Sequence, residues 1–313
     1  MKRILRIGTR GSKLALAQSR WVQACLQEHH PDLTIEMVVI KTTGDRFVDQ
    51  PLSQLGGKGV FVKEIEEAML AGSIDCAVHS MKDVPSELAP GLVIAATPRR
   101  EDPCDLLIAR DGVRFADLPG GARIGTSSLR RMALLRALRS DLEVHSLRGN
   151  VDTRLGKLDR GELDAIVLAA AGLRRLGIER SEAEAFDPEA FVPAIGQGVL
   201  ALESRADATV AVLAVLDDAA TRVTVTAERA FLRRVGGSCR TPLAAYATRE
   251  GTAILLRALI ADPDGTRVLR GERVGPATDA VPLGEGLADE LLGRGGAEIL
   301  RALDAQSGAR DGG

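Results

Sequence analysis

Short apolar runs alternate with amphipathic stretches from Leu5 to Ala169, and this order points to an α/β architecture. Leu5 and Ile7 begin a strand. Leu14, Ala17, Trp21 and Cys25 then recur at i, i+3, i+7 and i+11, which predicts a helix whose core-facing stripe contains Cys25. Ile35, Met37 and Val39 alternate as a second strand, Phe61–Leu70 reads as a helix, and Ile74–Ser80 as a buried strand around Cys76. A second series follows: Ala122–Thr126, Leu129–Leu138, Leu142–Leu147, Val151–Leu158 and Asp164–Ala169. Both halves are therefore expected to hold a parallel sheet flanked by helices.

The order changes after about Thr221. A helix around Ala227–Val235 precedes two apolar runs, Ala253–Ile260 and Thr266–Val274, separated by the turn string ADPDG, which is a hairpin signal. An amphipathic helix ending near Leu303 completes a small α+β unit, and the polar tail after Ala305 is expected to be disordered. The joints are Thr97–Pro103 and the Gly/Pro-containing Phe191–Gly198.

Charge is distributed unevenly. The net charge is only -2, yet Gly121–Arg175 holds eleven Arg and Lys against six Asp and Glu. Arg130 and Arg131 stand in GTSSLRR, and Arg148 and Arg154 in SLRGNVDTR; each string follows a short apolar run. These cations thus fall where strands hand over to helices. Guanidinium forks beside free helix N–H donors make a receptor for carboxylate or phosphate at a position where α/β folds bind ligands. A solvated, salt-bridged helix face is the alternative for any single one of them.

Composition narrows the class. With 313 residues, 45% hydrophobic and 27% charged, the chain is long enough for two or three domains and a substantial core. The start, MKRILRIGTRGS, fits neither a secretory signal nor a membrane span, so a cytoplasmic location is expected. Cys25, Cys76, Cys104 and Cys239 show no CxxC spacing, and they read as free thiols; no metal site is expected. Only 3% of residues are aromatic, so there is little for nucleobases to stack on.

Two strings carry further chemistry. In HSMKDVP the strand ends in Ser80, Lys82 and Asp83, and Pro85 forbids a continuing ladder bond. Asp83 is either a turn-forming surface carboxylate or the odd negative charge near the arginines, suited to stabilising developing positive charge. In GGSCRTP, Cys239 lies outside any periodic apolar pattern, on a loop with two glycines, beside Arg240. It is either a packed loop cysteine or the reactive thiol of the four.

Taken together the strings resemble the porphobilinogen deaminase (hydroxymethylbilane synthase) family over nearly the whole chain. IGTRGSKLALAQ (Ile7–Gln18), GGKGVFVKEIE (Gly56–Glu66), AVHSMKDVP (Ala77–Pro85), REDPCD (Arg100–Asp105), GTSSLRR, LRGNVDTRL, PAIGQG and ERAF (Glu228–Phe231) with the GGSC loop occur in the family's order. The resemblance implies two type II periplasmic-binding-protein-like α/β domains around a cleft, plus a small α+β C-terminal domain. Domain 1 would be residues 1–98 with 198–217, domain 2 residues 99–197 and domain 3 residues 221–305, with 306–313 as the tail. The return of 198–217 to domain 1 is implied by the family fold and is not visible in periodicity.

The resemblance also implies a mechanism. The family joins four porphobilinogen molecules head to tail on a covalent dipyrromethane cofactor, releasing ammonia at each step and finally the linear tetrapyrrole. The thioether anchor would be Cys239. Asp83 would be catalytic, holding pyrrole N–H groups and stabilising the cation left by ammonia. Lys82, Asp83, Thr126, Ser128, Arg130, Arg131, Arg148 and Gly149 would meet the cofactor, and Arg10, Ser12, Arg154, Arg175 and Gln197 the substrate. Lys58 and Phe61 would belong to a flap. Porphobilinogen would be the small-molecule partner of a monomer that binds neither nucleic acid nor membrane.

The chain departs from the family at one loop. The usual Leu-Glu-Gly-Gly-Cys is replaced by Val235, Gly236, Gly237 and Ser238 before Cys239, so the loop's own hydrogen bonds are expected to differ. Two other classes fit less of the sequence. A two-domain anion-binding protein needs no exposed cysteine on a third domain, and a nucleic-acid binder leaves Asp83 and Cys239 unexplained.

Overall fold

The computed structural model describes residues 3–46, 62–236 and 241–311. The first lobe is built from β1 (Arg3–Thr9), α1 (Lys13–His29), β2 (Leu33–Val39), α2 (Thr43–Arg46), α3 (Lys63–Leu70), β3 (Cys76–Ser80) and β4 (Leu92–Ala96). The chain then crosses to the second lobe. This comprises β5 (Asp105–Ala109), β6 (Arg123–Gly125), α4 (Leu129–Leu138), β7 (Glu143–His145), α5 (Val151–Asp159), β8 (Ala165–Ala169), α6 (Ala170–Arg175) and β9 (Glu184–Ala185). A second crossing returns it through β10 (Leu200–Arg205) and α7 (Thr209–Leu213) to the first lobe. Last come α8 (Ala219–Val235), β11 (Leu243–Glu250), β12 (Ala253–Ala261), β13 (Val268–Pro276), α9 (Ala280–Leu291) and α10 (Ala297–Asp311).

The two five-stranded sheets share one topology, β2-β1-β3-β10-β4 and β7-β6-β8-β5-β9. In each, the fourth strand is antiparallel to its neighbours: β10 against β3 and β4, β5 against β8 and β9. This corrects the expectation of purely parallel sheets. Each antiparallel strand adjoins a crossing between lobes, so it enters its sheet from the opposite end. The register His79↔Ala201 and Ala77↔Glu203 ties together residues far apart in sequence.

Cores follow the layers. Leu5, Ile7, Val22, Leu26, Val78 and Leu202 are buried together in the first lobe, and Leu107, Ile124, Leu134, Leu135, Val167 and Phe191 in the second. The C-terminal sheet has three strands, because β11 precedes the expected hairpin, and it packs on α8 and α9. α8 is also longer than expected. It begins at Ala219, where the Asp218 carboxylate caps it by accepting from the Thr221 amide at 2.7 Å.

Two further expectations are corrected. α1 buries Ala15, Ser19, Val22 and Leu26, leaving Cys25 half-buried and Trp21 48% exposed, so the stripe read from the sequence is not the core-facing one. The buried face runs through Ala15, Ser19, Val22 and Leu26, and Val22 and Leu26 share one core with Leu5, Ile7, Leu33 and Ile35 of the sheet. α10 runs to Asp311, past the Ala305 boundary after which disorder is expected. A stretch free of proline can satisfy its backbone hydrogen bonds within a helix.

Candidate functional site

β1, β3, β6 and β8 all run toward the gap between the lobes, and the helices or turns after them begin there. Ser12 caps α1 by accepting from the Ala15 amide at 3.2 Å, and Ser128 caps α4 by accepting from Arg131 at 3.4 Å. Helix N-termini concentrate N–H donors, so both starts favour an anion. β3 ends differently. Met81, 1% exposed, pins a 3-10 turn by donating its amide to the Val199 carbonyl, and this presents Lys82 and Asp83 to the gap.

The gap is a cavity of about 900 Å³. Its described walls carry nine Lys and Arg side chains against two carboxylates, Asp83 and Asp152. Asp152 is paired across the mouth with Lys13 at 2.6 Å. Asp83 is thus the negative group set among cations. Arg154 feels both signs: burial, together with Arg131 and Arg148, lowers its guanidinium to about 10, against an opposing pull from Asp83. Burial likewise lowers Arg175 to about 10, and its Nη2 donates to the Gly198 carbonyl at 2.6 Å. Removal from bulk water, reinforced by Arg131, brings the Lys82 ammonium down to about 8, although its side chain opens to the cavity.

Behind the cationic wall lies Asp105, fully buried at the start of β5. It accepts from Arg130 Nη1 at 2.7 Å, Arg131 Nε at 2.9 Å and Gln197 Nε2 at 3.1 Å. Its carboxyl is held far below the usual range because these charges outweigh the desolvation that acts the other way. Arg130 and Arg131 also donate to the Val192 and Val167 carbonyls. They are therefore not free forks at a helix start. Part of each guanidinium is used inward, and only the remainder faces the cavity.

Residues 5–212 match the family model "Porphobilinogen deaminase, dipyromethane cofactor binding domain", and residues 222–293 match its C-terminal domain. The chain belongs to the porphobilinogen deaminase family. It is 55% identical over 302 residues to the porphobilinogen deaminase of Roseiflexus sp. (strain RS-1), covering 96% of this chain and 99% of that protein. The porphobilinogen deaminase of Syntrophotalea carbinolica is 53% identical, covering 96% of each. Similar solved structures include the methionine-binding protein MetQ (13% identity, 68% of this chain, 89% of that one, TM-score 0.44). Another is the BenM effector-binding domain with benzoate (15%, 68%, 89%, TM-score 0.42).

Most of the family-type residues meet at one place. Arg10, Ser12, Lys82 and Asp83 from the first lobe, Ser128, Arg130, Arg131, Arg148, Gly149, Arg154 and Arg175 from the second, and Gln197 on the crossing all line the cavity. Thr126 does not. It is buried, with Oγ1 accepting from the Ser128 amide at 3.2 Å, so it shapes the turn without reaching the cavity. Gly149 has φ +109, a conformation that side chains rarely adopt. Gly198 has φ +85, and a Cβ there would lie 2.3 Å from the Glu101 carbonyl, so the crossing segments could not pack with any larger residue. Cys239, Lys58 and Phe61 lie outside the described residues.

The residue that sequence reasoning missed in this deaminase-family site is Asp105. Its one local signal is a carboxylate opening an otherwise apolar strand, DLLIA. Gln18 was also missed as a wall residue; it is buried on α1 and donates to Ser80 Oγ at 3.0 Å, bracing the end of β3.

Proposed function

We propose that this chain is a transferase that deaminates porphobilinogen and joins four molecules head to tail on a dipyrromethane cofactor, releasing hydroxymethylbilane. The three sheets support a division into domain 1 (1–98 with 198–217), domain 2 (99–197) and domain 3 (221–305). Cys239 is read as the anchor. When bound, the cofactor supplies a nucleophilic pyrrole carbon and a tether. Its fit is supported by the cavity: each pyrrole brings two carboxylates, and the walls offer a large excess of cations. Arg130 Nε is buried without a hydrogen-bond partner, a donor still to be satisfied.

The chain's own residues divide the work. Arg130, Arg131 and Arg148, with Lys82 and Ser128, hold cofactor carboxylates. Arg10, Ser12, Arg154 and Arg175 orient the incoming substrate. Loss of ammonia from the substrate's aminomethyl group leaves a cation, which Asp83 stabilises from within the otherwise positive wall. A unit charge at about 4 Å is worth roughly 4 kcal/mol at an effective dielectric of 20, or about a thousandfold in rate.

The observation that carries this reading is the placement of Asp83, a carboxylate on a pinned turn, opposite the arginines of the second lobe. Intact-protein mass spectrometry with limiting porphobilinogen tests it. Resting protein should exceed its sequence mass by two pyrrole units, climb by one, two and three substrate units, and return. Asp83→Asn should keep the resting mass and climb about a thousandfold more slowly. A single mass equal to that of the bare chain, unmoved by substrate, would reject the enzyme and leave a reversible anion binder.

A further inference from the structure

The chain on either side of Asp83 is held by a buried cation from α8. Arg229, 7% exposed, projects from α8, and no carboxylate among the described residues forms an ion pair with it. Its Nη2 donates to the Pro85 carbonyl at 2.8 Å and to Ser86 at 3.3 Å, and its Nη1 reaches the Val84 carbonyl at 3.5 Å and Met81 Sδ at 3.8 Å. These acceptors flank Lys82 and Asp83 on both sides. Pro85 has no N–H, so this segment lacks the ladder bonds that would otherwise fix it, and the guanidinium takes over that function. Burying an unpaired guanidinium is expensive, and burial lowers Arg229 to about 10. An apolar residue would fill the space at lower cost, so the charge is retained for what it grips.

The helix that carries Arg229 has further attachments. Val225, one turn earlier, is buried with Met81, Val84 and Val199. Glu228 accepts from the Gly196 and Ala247 amides at 2.7 and 2.9 Å and from Arg100 at 2.7 Å. Leu232 lines the cavity, and α8 ends at Gly236 in the left-handed conformation, immediately before the loop that contains Cys239. One rigid helix thus holds the turn of Asp83 and delivers the anchor loop.

We infer that Arg229 is a positioning residue: it fixes the Asp83 carboxylate relative to the end of α8 from which the anchor loop departs. This inference rests on the reading of Asp83 given above. A tethered chain reacts at a distance set by its anchor, so the carboxylate has to stand at a defined place in that frame. A misplacement of about 1 Å costs on the order of a hundredfold in rate.

A double-mutant cycle on purified holoprotein tests the inference. Arg229→Met should retain the resting cofactor mass, lower kcat for porphobilinogen about 10- to 100-fold, and leave KM within about threefold. Arg229→Lys, which keeps a donor for one carbonyl, should recover part of kcat, and it replaces Arg229→Met in the cycle should the latter not fold. In an Asp83→Asn background either substitution should cost less than about threefold, because the group being positioned has already lost its charge. Equal losses in both backgrounds, an unchanged kcat, or a loss that merely follows missing cofactor or missing fold would overturn the proposal. Failure of the Asp83 reading is seen separately, as near-normal turnover in Asp83→Asn alone.

Discussion

The carboxylate of Asp105 sits 2.7 Å from Nη1 of Arg130, and both side chains are excluded from water. Arg131 completes the group at 2.6 Å, so two cations share one anion at the root of the cavity wall. Asp105→Asn should therefore destabilise the protein by about 3–5 kcal/mol, since it leaves two buried guanidiniums without a counter-charge. Urea titration followed by circular dichroism measures this, and a loss under 1 kcal/mol would contradict it. The folded carboxyl titrates far below its unfolded value, near 3.9. Its contribution is thus complete at neutral pH and fades as the pH drops below about 4. That acid-side loss should be absent from the variant.

Lys82 sets an alkaline limit. Its ammonium, brought down to about 8 by desolvation and Arg131, loses its charge as the pH passes through 8, and its hold on the tethered cofactor's carboxylates weakens with it. kcat for porphobilinogen should fall above about pH 8 in the parent protein, whereas Lys82→Arg should hold kcat level through about pH 9. Lys82→Gln should lower kcat about tenfold or more at pH 7, the worth of a charged hydrogen bond. Parallel pH profiles of parent and Lys82→Arg would exclude Lys82 as the titrating group.

The cysteines should separate cleanly. Cys239→Ser should fold and carry no dipyrromethane mass; retention of that mass would reassign the anchor. Cys25→Ser should retain it and lose less than about 1 kcal/mol, because Cys25 is half-buried. Cys76 is buried in β3, where desolvation raises its thiol to about 12 and makes it inert. Cys76→Ser should cost about 1–3 kcal/mol for a buried hydroxyl. Thermal melts of the three variants check the order.

Lys13 and Asp152 join the two lobes across the cavity mouth, and both side chains are well exposed. A double-mutant cycle with alanine should give a coupling of about 0.2–1 kcal/mol at low salt that disappears at 1 M salt, where the screening length is about 3 Å. Coupling that persists at high salt would show that the pair acts through something besides charge.

Local order was legible in the sequence because it is encoded locally. The alternation of strands and helices, the C-terminal hairpin, the Arg strings and the HSMKDVP turn all depend on neighbours within a few residues, and all appear where periodicity and turn chemistry place them. The arrangement of partners was not legible. Nothing local in Leu200–Arg205 says that it inserts antiparallel between β3 and β4 of the first lobe, since its partners are more than a hundred residues away in sequence. On α1 two apolar rows competed, and only the packed sheet selected Val22 and Leu26 over Trp21 and Cys25. The arginines show the same division. Their identity and spacing established that the site is cationic, but only the tertiary structure turned Arg130 and Arg131 partly inward onto Asp105 and packed Arg229 on the backbone of the turn that carries Asp83, because charge pairing and hydrogen bonding depend on distance in space.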